Sequence, residues 1–434
     1  MAFVSNQTTT YVSKADSWGK FIRVVIVVFL AVFPWMVLPN IAQPLELPRE
    51  LLLFAFSGFL LVVWFFRALA QREFEWRRTK LGWILGLWLL VLGLLFLYSK
   101  NFQVGWQGYP GSLTGGLSEY LAFIIFYLVA VQVFSAEEWR RNLSLLANSL
   151  TYVLIFFIIA TVYYRSNAIL TINFAKTPTL VTAAAGVLAL SLWWTTKHSE
   201  EIKKGGSFIL VLVLFFITSL LDFHISFWMW VAGAAVILVF DLISRKENWK
   251  QEKETIQLGI GKAKSSFVKL FLHGDAKYLF LILLFALSRA ISPVFFGEQE
   301  ITVFPFMSFL IQYPLLGQKV IFYLLINFIV FCLGVYYFFR IRKERPAVVT
   351  VMSGLLAISL GHLLYYSESA IFYLLNWSLL IFAGVTFLRL APEKDFLYLI
   401  KPKSKGEGVL AAISVGVMVV VAVLVFLRFR EIFT

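Results

Sequence analysis

Tyr98–Phe134, YSKNFQVGWQGYPGSLTGGLSEYLAFIIFYLVAVQVF, runs from a polar, glycine- and aromatic-rich loop straight into an apolar segment. The loop is built for a specified turn, because its glycines admit backbone conformations closed to other residues. From Leu117 onward the segment carries one charged residue, Glu119, before a run of apolar and aromatic residues without dyad alternation. Such a run is a membrane helix, since hydrocarbon tolerates only helices or closed barrels.

The rest of the chain repeats this pattern. Of 434 residues 60% are hydrophobic, 18% aromatic and only 14% charged, and the mean hydropathy is +0.83. That composition predicts an all-α, polytopic integral membrane helix bundle. Apolar runs long enough for about 30 Å of hydrocarbon fall near 21–40, 50–70, 80–98, 117–135, 146–164, 178–196, 207–222, 225–243, 277–296, 319–339, 347–365, 369–388 and 409–427. They amount to thirteen spans, or twelve if the short segments 207–222 and 225–243 form one broken element.

Lys and Arg orient the bundle. With the N-terminus in the cytoplasm, 30 of the 38 basic residues lie on the cytoplasmic side, seven lie outside (Arg49, Lys100, Arg165, Lys176, Lys319, Arg428 and Arg430), and Arg289 lies within a span. Arg428 and Arg430 run against the rule at the C-terminus. The net charge of +14 belongs to loops beside an anionic leaflet, so nucleic acid is not invoked as a partner. The polar N-terminal stretch entering a full-length span is expected to serve as its own signal-anchor in the cytoplasmic membrane.

Residues 1–434 read as a single membrane domain without a soluble module. Its longest cytoplasmic segment, the basic loop 244–277, mixes charged and apolar residues as an interfacial amphipathic helix would. GIGKAKSS within it lacks the spacing of a phosphate loop. The single cysteine, Cys332, sits in an apolar run and reads as a small buried hydrophobe.

On this topology GWQGYPGSLTGGLSEYLAFIIFYLVAV lies on the outer face, between the third and fourth spans. It resembles the O-antigen ligase and O-antigen polymerase family, in which a glycine-and-aromatic turn with a GS or GL pair precedes a span opening near a Tyr. PRELLLF at 48–54 and PLLG at 314–317 extend the resemblance. It implies transfer of a glycan from a polyprenyl diphosphate carrier to an acceptor at the outer membrane face, with no metal or other cofactor. Cationic side chains would hold the diphosphate as charge develops on it, and a His or carboxylate would take the acceptor's proton. This chain has LDFHISFWMW where the family usually carries an Arg, and its outer segment 296–318 has no His.

The candidate catalytic residues are therefore His224 and Asp222, placed together at an outer hairpin, with a satisfied turn as the alternative. Candidate substrate-binding residues are Arg165 and Lys176, which bracket the outer loop RSNAILTINFAKTP, and Arg289 inside its span with Glu298 and Glu300 as partners. Interfacial snorkelling and structural ion pairing are the competing readings of these cations. Glu119 completes the set, either contacting a sugar or capping its helix. A flippase or transporter of a lipid-linked or anionic solute, or a catalytically degenerate scaffold, are the alternative functions; a transporter needs a polar path into the cytoplasmic half, whereas these residues cluster outward.

Overall fold

The computed structural model describes residues 17–36, 46–71, 74–77, 79–97, 116–163, 231–240, 314–340, 345–364, 370–387 and 397–400, together with positions 106, 229, 243, 244, 415, 416, 419, 420 and 423. Almost all of them are helical. Among the described residues three helical segments are long and apolar enough to cross a membrane, Ser17–Trp35, Pro48–Gln71 and Ile321–Arg340, and shorter apolar helices accompany them. The predicted spans 178–196, 207–222 and 277–296 lie outside the described residues, as does the basic loop 244–277 apart from its first residue and span 409–427 apart from five isolated positions.

The chain forms two compact units. The first comprises Met1–Val153, Tyr313–Phe322 and Glu368–Thr434. It contains α1 (Ser17–Val32) closed by a 3-10 turn (Phe33–Trp35), α2 (Glu46–Gln71), β1 (Phe74–Arg77), α3 (Lys80–Leu97), α4 (Leu117–Val133) and the start of α5 (Ala136–Tyr163). The second comprises Leu154–Gln312 and Tyr323–Ser367. It holds the short helix α6 (Val231–Phe240), most of α7 (Pro314–Arg340) and α8 (Arg345–Leu364). The helix α9 (Ala370–Thr386) and strand β2 (Leu397–Ile400) return to the first unit.

Helix α4 is the hub of the first unit, buried nearly all round, as a helix apolar on every face should be. It packs on α2 most extensively, and also on α1, α3 and α9. Phe29 of α1, Phe56 of α2 and Phe126 of α4 meet in one cluster. Phe29 and Phe56 stack at 3.7 Å between centroids, and Phe126 lies 5.8 Å from Phe29 and 6.0 Å from Phe56. One turn earlier on α4, Trp377 of α9 stacks on Phe123 at 5.6 Å, and the Trp139 indole donates to the Ser378 carbonyl at 2.8 Å.

Gly384 allows α9 to come this close to α4. A Cβ there would sit 2.5 Å from the Tyr127 hydroxyl oxygen. That hydroxyl is itself held by Thr79 Oγ1 at 2.8 Å, and Thr79 Oγ1 accepts the Gly82 N–H at 3.0 Å to start α3. In the second unit Gly334 of α7 plays a related part against Met352 of α8, and Asn327 Nδ2 donates to Ser359 Oγ at 3.0 Å across the same pair.

Helix ends differ from the apolar runs where polar chemistry, not hydropathy, sets them. The predicted span at 146 is the interior of α5, which begins ten residues earlier, at Ala136. Ser135 and Glu138 form a capping box there: the Glu138 N–H donates to Ser135 Oγ at 3.3 Å and the Ser135 N–H to Glu138 Oε2 at 2.9 Å. Helix α7 likewise starts at Pro314 rather than near 319, since proline is suited to a first helical turn, and on it Cys332, expected to be buried, is exposed. At the end of α1, Pro34 falls in the 3-10 turn and the helix stops short of the predicted residue 40.

The all-α expectation holds for the described residues, which carry one short antiparallel ribbon besides their helices. β1 (FEWR) and β2 (LYLI) pair antiparallel, Phe74 opposite Ile400 and Arg77 opposite Leu397, from segments that lie outside the predicted spans. The ribbon is tied to α4 through the side-chain amide of Gln132, which mimics a neighbouring peptide: Oε1 accepts the Arg77 N–H at 2.6 Å and Nε2 donates to the Arg77 carbonyl at 3.1 Å. A buried Gln132 in an otherwise apolar helix is thereby satisfied.

Candidate functional site

Among the described residues the buried charged side chains are Arg49 (0% exposed), Glu50 (3%) and Glu119 (3%). All three lie at the same end of the α2–α4 pair. The two helices run parallel, because the Gln132 clamp brings the end of α4 to the strand that follows α2. Phe56 and Phe126 then act as a register mark. Arg49 lies seven residues before Phe56 and Glu119 seven before Phe126, a step of about 10.5 Å along either helix. Seven residues also return to nearly the same face, within about 20°. Since Phe56 and Phe126 face each other, Arg49 and Glu119 are carried to one level of the facing surfaces.

The local sequence explains how such groups come to be buried. Both Arg49 and Glu119 belong to the first turns of their helices, where backbone N–H groups lack helical partners and a carboxylate is favoured by the helix dipole. Arg49 reaches the other way: its Nη2 donates to the Pro34 carbonyl at 3.0 Å, in the turn that ends α1. A cation at a helix's carbonyl end is the complementary arrangement. The Ser118 and Ser57 hydroxyls are buried in the same helices and make no hydrogen bond among the described residues.

Of the sequence-derived candidates, Glu119 is the one the structure describes. It begins α4 behind Gly116, the residue at which the described chain resumes after the glycine-rich loop, and Gly116 makes no side-chain cap. His224, Asp222, Arg165, Lys176, Arg289, Glu298 and Glu300 lie outside the described residues. Arg49 and Glu50 were not among the candidates. Their signal was legible in PRELLLF, an Arg-Glu pair opening an apolar span, but the positive-inside count registered Arg49 only as one outer cation.

A second polar cluster occupies the other end of the first unit. The Arg23 guanidinium of α1 pairs with Glu138 at 2.5 Å, and Glu138 is already engaged in the α5 capping box. Partial burial alone would raise the Glu138 carboxyl, but the Ser135 N–H, the Arg23 charge and the Ser135 hydroxyl together hold it below the usual carboxylate range. Its hydrogen bonds all fasten protein to protein, so the cluster reads as a tie between α1 and α5.

No group of three or more His, Cys, Asp or Glu suited to a metal occurs among the described residues. No protein-family model matches this chain, and neither the curated proteins nor the solved structures contain a match.

Proposed function

We propose that this chain is a polytopic protein of the cytoplasmic membrane, with 12 or 13 spans and a cytoplasmic N-terminus, that transfers a glycan from a polyprenyl diphosphate carrier to an acceptor at the outer face. The observation that carries the reading is the set of apolar helices long enough to cross a membrane, Ser17–Trp35, Pro48–Gln71 and Ile321–Arg340 among the described residues, together with the glycine-rich segment before α4 that resembles the ligase and polymerase family.

Other features support the membrane part of the proposal. α1 exposes Trp18, Phe21, Val24, Val28 and Val32 along one face, followed by Trp35 in its terminal turn, and α3 exposes Trp83, Leu87, Leu90, Leu94 and Leu97. Such stripes suit acyl chains, and tryptophans near both ends of α1 suit the two interfaces. The β1–β2 pairing joins two loops that the Lys and Arg distribution assigns to the same, cytoplasmic side.

In the proposed reaction an acceptor hydroxyl attacks the anomeric carbon of the carrier-bound sugar, the sugar–oxygen bond to diphosphate breaks, and the diphosphate leaves with the electron pair. His224, oriented by Asp222, takes the hydroxyl proton. Arg165, Lys176 and Arg289 receive the negative charge of the leaving group, with Glu298 and Glu300 holding Arg289 in place. Purified protein in lipid nanodiscs is to be offered a polyprenyl-diphosphate oligosaccharide with an acceptor glycan, comparing wild type with His224→Ala and Arg289→Ala. Turnover by wild type, reduced at least a hundredfold in both variants, is expected. Equal turnover in all three overturns the site assignment, and absence of turnover in wild type overturns the transferase reading.

A further inference from the structure

We propose that Arg49 is a positioning residue that locks the ends of α1, α2 and α4 in common register, rather than a group that meets substrate. Its guanidinium is fully buried and donates from Nη2 to the Pro34 carbonyl at 3.0 Å, which ties it to the end of α1. The charge inventory points the same way. Among the described residues, the buried charges at this end of the helices are one guanidinium and the two carboxylates Glu50 and Glu119, and with two helix N-termini, each worth about half a positive charge, the sum is close to neutral.

The geometry makes the lock specific to one end of the bundle. The Phe29–Phe56–Phe126 cluster joins the same three helices about two turns further in, and the Gln132 clamp secures α4 at its far end. Neither reaches the first turn of α4, which has no side-chain cap of its own. Tyr120 of that turn meets Phe322 edge-on at 5.5 Å between ring centroids, and the turn's buried polar hold comes from the layer containing Arg49 and Glu119. An uncompensated buried carboxylate is destabilising when its cationic counterpart is removed, whereas removing both charges relieves most of the loss.

The test uses the full chain in nanodiscs and amide hydrogen exchange resolved along α4. Arg49→Met, which keeps the apolar stem, is expected to speed exchange at least tenfold at Tyr120–Phe123 while leaving Gln132–Phe134 within twofold of wild type. Arg49→Met combined with Glu119→Gln is expected to recover at least threefold of that acceleration. Phe56→Leu, which loosens the same helices by packing, should accelerate exchange without this one-ended pattern or rescue. Should Arg49→Met not yield folded protein, Arg49→Lys supplies the milder perturbation, with acceleration confined to the same amides. Uniform acceleration along α4, no acceleration, or additivity of the two substitutions overturns the proposal. Because exchange is read without substrate, failure here is distinct from failure of the transferase reading.

Discussion

Gly384→Ala tests how tightly α9 is seated on α4. The added methyl carbon would lie 2.5 Å from the Tyr127 oxygen and 3.2 Å from two of its ring carbons, all well inside van der Waals contact. A long flexible side chain would swing aside, but Tyr127 is a rigid ring in a buried site and its hydroxyl is tied to Thr79 at 2.8 Å. Relief requires either moving α9 or breaking that hydrogen bond. Overpacking of this kind costs about 1–3 kcal/mol, and loss of a buried hydrogen bond adds about 1 kcal/mol, so a total destabilisation of about 3 kcal/mol is expected. Tyr127→Phe alone should cost about 1 kcal/mol, because Thr79 Oγ1 retains the Gly82 N–H at 3.0 Å. The double variant should then be more stable than the sum of the two losses by at least about 1 kcal/mol, since the clashing oxygen is gone. Reversible denaturation in mixed micelles, followed by tryptophan fluorescence, reads all four members of the cycle. Additive losses, or a Gly384→Ala cost below about 0.5 kcal/mol, would refute the close approach of Gly384 to the Tyr127 hydroxyl.

Gly334→Ala offers a contrast, because the obstructing atoms are the Cγ and Sδ of Met352, at 2.7 and 2.8 Å. A methionine can change rotamer, so the same measurement should show a loss of less than about 1 kcal/mol. Trp139→Phe removes the indole donor to the Ser378 carbonyl and should destabilise by about 1–3 kcal/mol, with circular dichroism showing the helices intact. The Glu138 carboxyl, held below its ordinary 4.5, contributes stability that is fully present above that value and is lost as the pH falls below it through the folded-state value. The pair is partly exposed, 27% and 38% at its two side chains, so solvent screening limits the effect to about 0.5 kcal/mol. Glu138→Gln should abolish that acid-dependent portion, and an unchanged acid limb in the variant would count against the Arg23–Glu138 tie.

Much of the helical framework was legible along the chain because in hydrocarbon each segment is selected by its own length and apolarity. The starts of α3 and α4 agree with the apolar runs to within a residue. Where the boundary was set by polar chemistry, hydropathy misled: Ser135 and Glu138 lengthened α5 backward through polar sequence, and Pro34 shortened α1. The ribbon was illegible, since four residues at 74–77 and four at 397–400 become strands only by meeting. Among the site residues, Glu119 was singled out by its place after the glycines, while Arg49 was seen only as a topological charge.

The amino-acid sequence by itself determined that this is an apolar, largely helical chain, because helix formation in an apolar run follows from local interactions. Which helices would be neighbours is not a local property. Only the tertiary structure decided that α2 and α4 run parallel with Phe56 against Phe126, and hence that Arg49 and Glu119, seventy residues apart, occupy one buried level. Hydropathy assigns each segment to the membrane with little regard to its partners; packing, hydrogen bonding and charge compensation then select among the many ways of placing those segments together.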